Sequence, residues 1–183
     1  MTMSDKVEIV PYDSGWPELF RLLAAGLRSV LGNAACRIDH VGSTAVVGLA
    51  AKPIIDIQVS VSDFEPLDAY RVPIEHAGYV YRADNTERTK RYFRESTGQR
   101  RTHIHVRRLG SWSEQFALLF RDYLRENVAE AHGYADLKYT LAARYQDDRH
   151  GYTEAKGQFI WEVMHRADKW SQDVGWQPGS SDA

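Results

Sequence analysis

Apolar and polar positions switch between helical and strand periods up to Gly110 and follow a helical period beyond it. Between Tyr12 and Gly32, apolar residues recur at Leu19, Leu22, Leu23, Leu27, Val30 and Leu31, three and four apart, after a turn-rich start and Pro17. That spacing predicts a helix with one buried face, ended by Gly32 and Asn33. Residues 35–43 then read as a short strand, and Pro53 opens a second in which Ile55, Ile57 and Val59 alternate with Asp56, Gln58 and Ser60. A helix from Phe64 to His76, interrupted by Pro66 and Pro73, leads to strands at "YVYRAD", "KRYFRES" and "RRTHIHVRR". Past Gly110 the period becomes helical, in "WSEQFALLFRDYLREN", "GYADLKYTLAARYQ" and "TEAKGQFIWEVMHRADKW". The expected organisation is one domain over residues 1–172, with a sheet core over about 34–109, a helical cap over about 112–170 and a flexible tail at 173–183.

One residue breaks the strand pattern in a way that demands chemistry. Asp56 is embedded among aliphatics, and a carboxylate in an apolar strand is costly unless a partner charge, hydrogen bonds or a metal ion compensates it. Ahead of it lies "GSTAVVG", a run of small residues whose backbone N–H groups can approach an anion closely, with Lys52 between the two. His103 and His105 are two residues apart on a predicted strand and share a face. They read either as metal ligands or as a hydrogen-bonded surface pair.

Composition narrows the choices. The one cysteine, Cys36, rules out an internal disulfide framework and a multi-cysteine zinc site, so a metal would need oxygen and imidazole ligands; Cys36 itself reads as a small core residue. A net charge of -2 and a pI near 6.4 argue against coating nucleic acid through overall charge. No apolar run reaches the eighteen or so residues of a membrane span, and "MTMSDKVEIV" carries no signal-peptide segment, so a cytoplasmic protein without membrane partners is expected.

Charge is nonetheless concentrated locally. Nine Arg or Lys residues fall between Arg82 and Arg108, and among them Arg91 and Arg94 suit a wall around a phosphorylated ligand, or simply a solvated strand surface. "YADLK" and "YTEAK" place Tyr134 with Lys138, and Tyr152 with Lys156, on common helix faces. Each pair could stack on a base and meet a phosphate, or be packing with a snorkelling lysine.

The motifs "VPYDSGW", "HVGSTAVVGLAAKPIIDIQV", "THIHV", "FRDYLREN", "YADLK" and "YTEAKGQFI" together resemble the GrpB family, grouped with the nucleotidyltransferases that include DNA polymerase beta. The resemblance runs from about Val7 to Trp170. It implies an α+β fold, a mixed sheet of polymerase beta-like type with a C-terminal helical layer. It also implies a Gly-Ser pair, here Gly42 and Ser43, opening a helix beneath a triphosphate, and an acid-X-acid pair holding divalent metal. Asp56 matches the first acid and would be the catalytic residue; Gln58 stands at the second, a departure from the two-metal pattern. In that fold His103 and His105 would lie beside Asp56 as further ligands, with His40 and Gln58 as additional candidates. Such a set suits Mn²⁺ or another transition metal better than Mg²⁺.

The function so implied is metal-dependent transfer of a nucleoside monophosphate from a nucleoside triphosphate to a small-molecule acceptor, with Gly42, Ser43, Lys52, Arg91, Arg94, Tyr134, Lys138, Tyr152 and Lys156 binding the nucleotide. A non-catalytic nucleotide- or phosphometabolite-binding module, and a metal-dependent hydrolase built on Asp56, His103 and His105, are the alternatives. Neither the oligomeric state nor the acceptor follows from these residues, and nucleic acid is not expected as a partner.

Overall fold

A computed structural model describes residues 6–183; residues 1–5, the start of the expected domain and of the segment in which no signal peptide is expected, lie outside the described residues. The elements follow as α1 (Trp16–Leu31), β1 (Arg37–Val41), β2 (Ile55–Val61), α2 (Asp68–His76), β3 (Tyr79–Tyr81), β4 (Arg91–Glu95), β5 (Thr102–Arg108), α3 (Trp112–Glu126), α4 (Val128–Arg144), α5 (Arg149–Ala155) and α6 (Gly157–Val174). The strands form one sheet in the order β1-β2-β5-β4-β3. Only the central β2/β5 pair is parallel; the other three pairs are antiparallel. This is the expected α+β architecture, a mixed sheet with a C-terminal helical layer.

The alternation in β2 explains why the sheet needs two different covers. Ile55, Ile57, Val59 and Val61 join Ile104, Val106 and Phe93 in an apolar core against α1 and α2. The opposite face carries Asp56, Gln58 and Ser60 beside His103, His105 and Arg107, and it meets the helical layer. That layer has its own core, in which Leu119, Leu124, Val163 and Met164 are buried. Polar groups on the covered face must therefore be paired. Ser60 Oγ donates to Glu114 at 2.5 Å, and Glu114 also accepts from the Gly110 N–H at 2.7 Å. Arg121, buried in α3, donates to the His40 carbonyl at 3.0 Å and to Asp122 at 2.7 Å, fastening this helix to β1.

Three local expectations are corrected. The buried stripe of α1 is Trp16, Phe20, Ala24, Leu27 and Leu31, whereas Leu22 and Val30 face solvent; apolar spacing alone placed the stripe about a quarter turn away. The last helical segment is divided into α5 and α6 at Lys156. Cys36 is exposed, not core, because it precedes β1 on the rim of the sheet.

The segment after α6 is not free of the fold. Ser181 Oγ accepts from the Ile38 N–H at 2.9 Å, Asp182 accepts from the His40 N–H at 2.9 Å, and the Ala183 N–H donates to the Ile38 carbonyl at 3.1 Å. These groups satisfy the open edge of β1, which a bare edge strand would leave unpaired. A polar, glycine-containing composition carries no trace of such docking.

His40 lies on the α1 side of β1, stacked on Phe20 at 4.6 Å with its Nε2 3.0 Å from Thr44 Oγ1. Burial, aided by Arg125 and Arg121 and opposed by Asp56, pushes its pKa down to about 4. Between the ordinary value near 6.5 and about 4 the unfolded chain binds a proton that the folded chain does not, so stability falls as pH falls through that window. Urea unfolding is expected to show about 2 kcal/mol less stability from this group at pH 5 than at pH 7. A His40→Gln variant with the same slope between pH 7 and pH 5 would show that His40 is not the group responsible.

Candidate functional site

Register brings the site together. In the parallel β2/β5 pair, Asp56 is opposite His103 and Gln58 is opposite His105, so the two imidazoles straddle the carboxylate on the covered face. Asp56 Oδ1 lies 3.2 Å from His103 Nδ1 and 3.1 Å from His105 Nε2. Burial alone would raise the Asp56 pKa, but the hydrogen bonds from His103 and His105 outweigh it and hold the carboxyl well below the usual carboxylate range. Burial pushes the His105 imidazole down to about 4 against the pull of Asp56. An ionised carboxylate only accepts, so the ring protons sit on the two nitrogens nearest it.

Those three residues fit a divalent cation. One ligand atom from each lies within 4.8 Å of the others. A cation there would replace the two imidazole–Asp56 hydrogen bonds with metal bonds, each ring moving its proton to its outer nitrogen, His103 Nε2 or His105 Nδ1, both buried with no hydrogen-bond partner. Ligating imidazoles usually donate their outer N–H to an acceptor. Neither has one among the described residues, which points to moderate affinity. A carboxylate with two imidazoles favours Mn²⁺, Fe²⁺ or Zn²⁺ over Mg²⁺.

A cavity of about 440 Å³ opens beside this group. Lys52, Lys138 and Lys156 line it with Ser43 and Tyr152, and so do Lys90, Tyr92 and Arg149. Lys52 Nζ and Lys156 Nζ lie 4.4 Å and 4.5 Å from the centre of the same Tyr152 ring. Lys138 Nζ sits 4.5 Å from the Tyr134 ring and donates to the Ala50 carbonyl. Burial pushes Lys52 and Lys156 down to about 8 and Lys138 to about 7; nearby cations, including Lys156 beside Lys52 and Lys138, push the same way. A ring face attracts an ammonium but does not neutralise it.

The expected site residues thus divide. Ser43, Lys52, Asp56, His103, His105, Lys138, Tyr152 and Lys156 meet at the cavity. Tyr134 does not line it; the ring is buried in the helical layer, stacked on Phe159 at 5.3 Å. Arg91 lies across the Phe64 ring at 4.2 Å, on the far face of β4, while Arg94 pairs with Glu95 and lines a neighbouring cavity with Arg149. Neither His40 nor Gln58 is a ligand: His40 is on the other face, and Gln58 Oε1 accepts from Arg107 at 2.7 Å.

Gly42 and Ser43 do not open an α-helix. Ser43–Ala45 is a single 3-10 turn, so the expected helix dipole is missing. Gly42 serves differently: at φ 72° a Cβ on it would lie 2.8 Å from Asp56 Oδ2, so the glycine makes room for the carboxylate.

Sequence reasoning missed Tyr92, whose ring stacks on His105 at 5.3 Å, and it missed Lys90, Asn85 and Arg149. Period two held the signal for Tyr92, because in β4 it cannot share a face with Arg91.

A family model described as "GrpB protein" matches residues 6–166. A UPF0157 protein of Pseudomonas aeruginosa is 37% identical over 167 residues, covering 89% of this chain and 68% of that protein. A dephospho-CoA kinase of Mycobacterium tuberculosis is 32% identical over 195 residues, covering 93% of this chain but 48% of the kinase. The chain therefore spans about two thirds of one relative and about half of the other. The crystal structure of the conserved protein GrpB from Enterococcus faecalis superposes with a TM-score of 0.82 at 34% identity, covering 90% of this chain and 99% of that one.

Calorimetric titration with Mn²⁺ is expected to give one site. Asp56→Asn should abolish it, and Gly42→Ala should weaken it by about 10- to 100-fold by displacing the carboxylate. Unchanged affinity in Asp56→Asn would remove the carboxylate from the ligand set.

Proposed function

The chain belongs to the GrpB family, and from that premise we propose that it binds a nucleoside triphosphate with a divalent cation and transfers the nucleoside monophosphate to a small-molecule acceptor. One observation carries the reading: three lysines converge on the cavity into which the Asp56–His103–His105 group opens. The motif resemblance to nucleotidyltransferases supplies the chemistry.

Lys52 and Lys156 are placed for phosphate oxygens, held by a shared ring and short of anionic partners. Tyr152 keeps both ammoniums at the wall, and Lys138, anchored on the Ala50 carbonyl, fixes α4 behind them. Asp56, His103 and His105 would hold the cation, which when bound would neutralise phosphate charge and acidify the attacking hydroxyl. The acceptor oxygen forms a bond to the α-phosphorus, the α–β anhydride bond breaks, pyrophosphate leaves with the electron pair, and the hydroxyl proton passes to solvent. Fixed positive charge aimed at the phosphates stabilises the charge that develops.

Gln58 favours a second reading, a nucleotide-binding module without turnover. Its amide is spent on Arg107 and on the Glu114 carbonyl, leaving the site one acid short of a two-metal centre.

Calorimetry with a nonhydrolysable nucleoside triphosphate tests the reading. Metal-dependent binding is expected with Mn²⁺, weakened by at least about tenfold in Lys156→Met. No binding with any metal would end the nucleotide reading. With the hydrolysable triphosphate, pyrophosphate release that needs an acceptor marks transfer, and release of inorganic phosphate with water alone marks a hydrolase.

The lysines set a pH dependence. Their pKa values of about 7 to 8 rise when an anion arrives, so binding takes up protons and affinity falls as pH rises from 7 to 9. Binding enthalpies at pH 8 in buffers of different ionisation enthalpy should differ in the sense of proton uptake; equal enthalpies would count against these lysines as the phosphate ligands.

A further inference from the structure

A second cavity, of about 200 Å³, touches the candidate site from the helical layer. It shares only Asp56 and His105 with the lysine-lined cavity. Its remaining wall is mostly apolar: Phe116, Ala117 and Phe120 from α3 and Ile160 from α6, all half-buried and turned to open space. The one cationic side chain in it, Arg107, has an Nη1 already donating to Gln58 at 2.7 Å.

We propose that this cavity is the acceptor subsite, and that the acceptor is an alcohol carrying an apolar, ring-sized body; the assignment rests on the nucleotidyl-transfer reading. Three observations carry it. Phosphoryl displacement runs in line, with the attacking and leaving oxygens on opposite sides of phosphorus. Two cavities that meet only at Asp56 and His105 provide that separation, with phosphates among the lysines and the hydroxyl arriving through the other opening.

Size and lining agree with the class of compound. An apolar cavity of about 150 Å³ is enough to hold benzene. The space here admits a ring or short branched chain with a hydroxyl directed at Asp56, and it lacks the lysines a second polyanion would need.

The apolar lining also continues outward. The Phe116 ring makes edge contacts with Trp112 at 5.9 Å and Trp161 at 5.4 Å. Those two indoles are 67% and 61% exposed, which is unusual for residues with so much apolar area to bury. A track of aromatic surface therefore leads from solvent to the mouth of the cavity, suited to an acceptor longer than the cavity itself.

The test uses 4-fluorobenzyl alcohol as probe and fluorine NMR on the full chain. Saturable binding is expected at millimolar concentrations. Ala117→Phe and Ile160→Trp, which fill the cavity, should each weaken it by at least about tenfold while leaving metal-dependent triphosphate binding at the wild-type level. Both variants must melt like the wild type; Ile160, at the margin of the layer, is the safer if Ala117→Phe does not fold. Lys156→Met should do the reverse, losing triphosphate and keeping the probe. No saturable binding by the wild type, or unchanged probe affinity in a folded filling variant, overturns the subsite. Variant-sensitive probe binding without any triphosphate binding supports an apolar alcohol site and overturns the nucleotide reading on which its acceptor role depends.

Discussion

The parallel pairing of β2 with β5 is the constraint from which the site follows. It sets His103 and His105 on either side of Asp56 and lets both imidazoles donate to one carboxylate oxygen. Without them an ionised group on a covered sheet face would cost several kcal/mol. With them the carboxylate is ionised, oriented and still open toward a cavity. Slipping β5 by one residue would turn Ile104 to this face and both histidines into the α1 core, so fold and site are specified together.

Much of this was legible in the sequence because strands have a period of two. The alternation in Ile55–Val61 and in Thr102–Arg108 identified which residues shared a face, and the helical period past Gly110 identified the layer that covers it. The same rule, applied strictly, would have removed Arg91, which cannot face the cavity when Tyr92 does, and it would have introduced Tyr92. What no local pattern could supply was tertiary. Tyr134 and Tyr152 occupy equal places in matching Tyr-x-x-x-Lys motifs, yet Tyr134 is packed on Phe159 while Tyr152 holds two lysines at the cavity wall. The docking of Ser181 and Asp182 on β1 likewise depends on an edge strand more than 140 positions away.

Positive charge is arranged here in a manner that folding alone does not favour. Lys52, Lys138 and Lys156 come from three separate parts of the chain, and burial, with neighbouring cations pushing the same way, lowers all three pKa values. A protein selected only for stability would disperse them or give each a carboxylate. Asp56, the acidic side chain in the cavity lining, is already engaged by two imidazoles. The charge is balanced if an anion of several negative charges completes the cavity. Tyr152 fits that account: it holds ammoniums in place without neutralising them, so their charge stays directed at whatever enters.

Gln58 holds the covered face of the sheet against the helical layer. A carboxylate there would sit next to Glu114, whose oxygens already accept from Ser60 and Gly110, and would turn the amide's donation to the Glu114 carbonyl into repulsion. The amide instead accepts from Arg107 and donates to that carbonyl, so it joins β2, β5 and α3 in one buried network. The position is part of the joint between sheet and helical layer, and Arg107, held by it, lines the second cavity with Asp56. An acid at Gln58 would therefore disturb the packing that shapes the cavity.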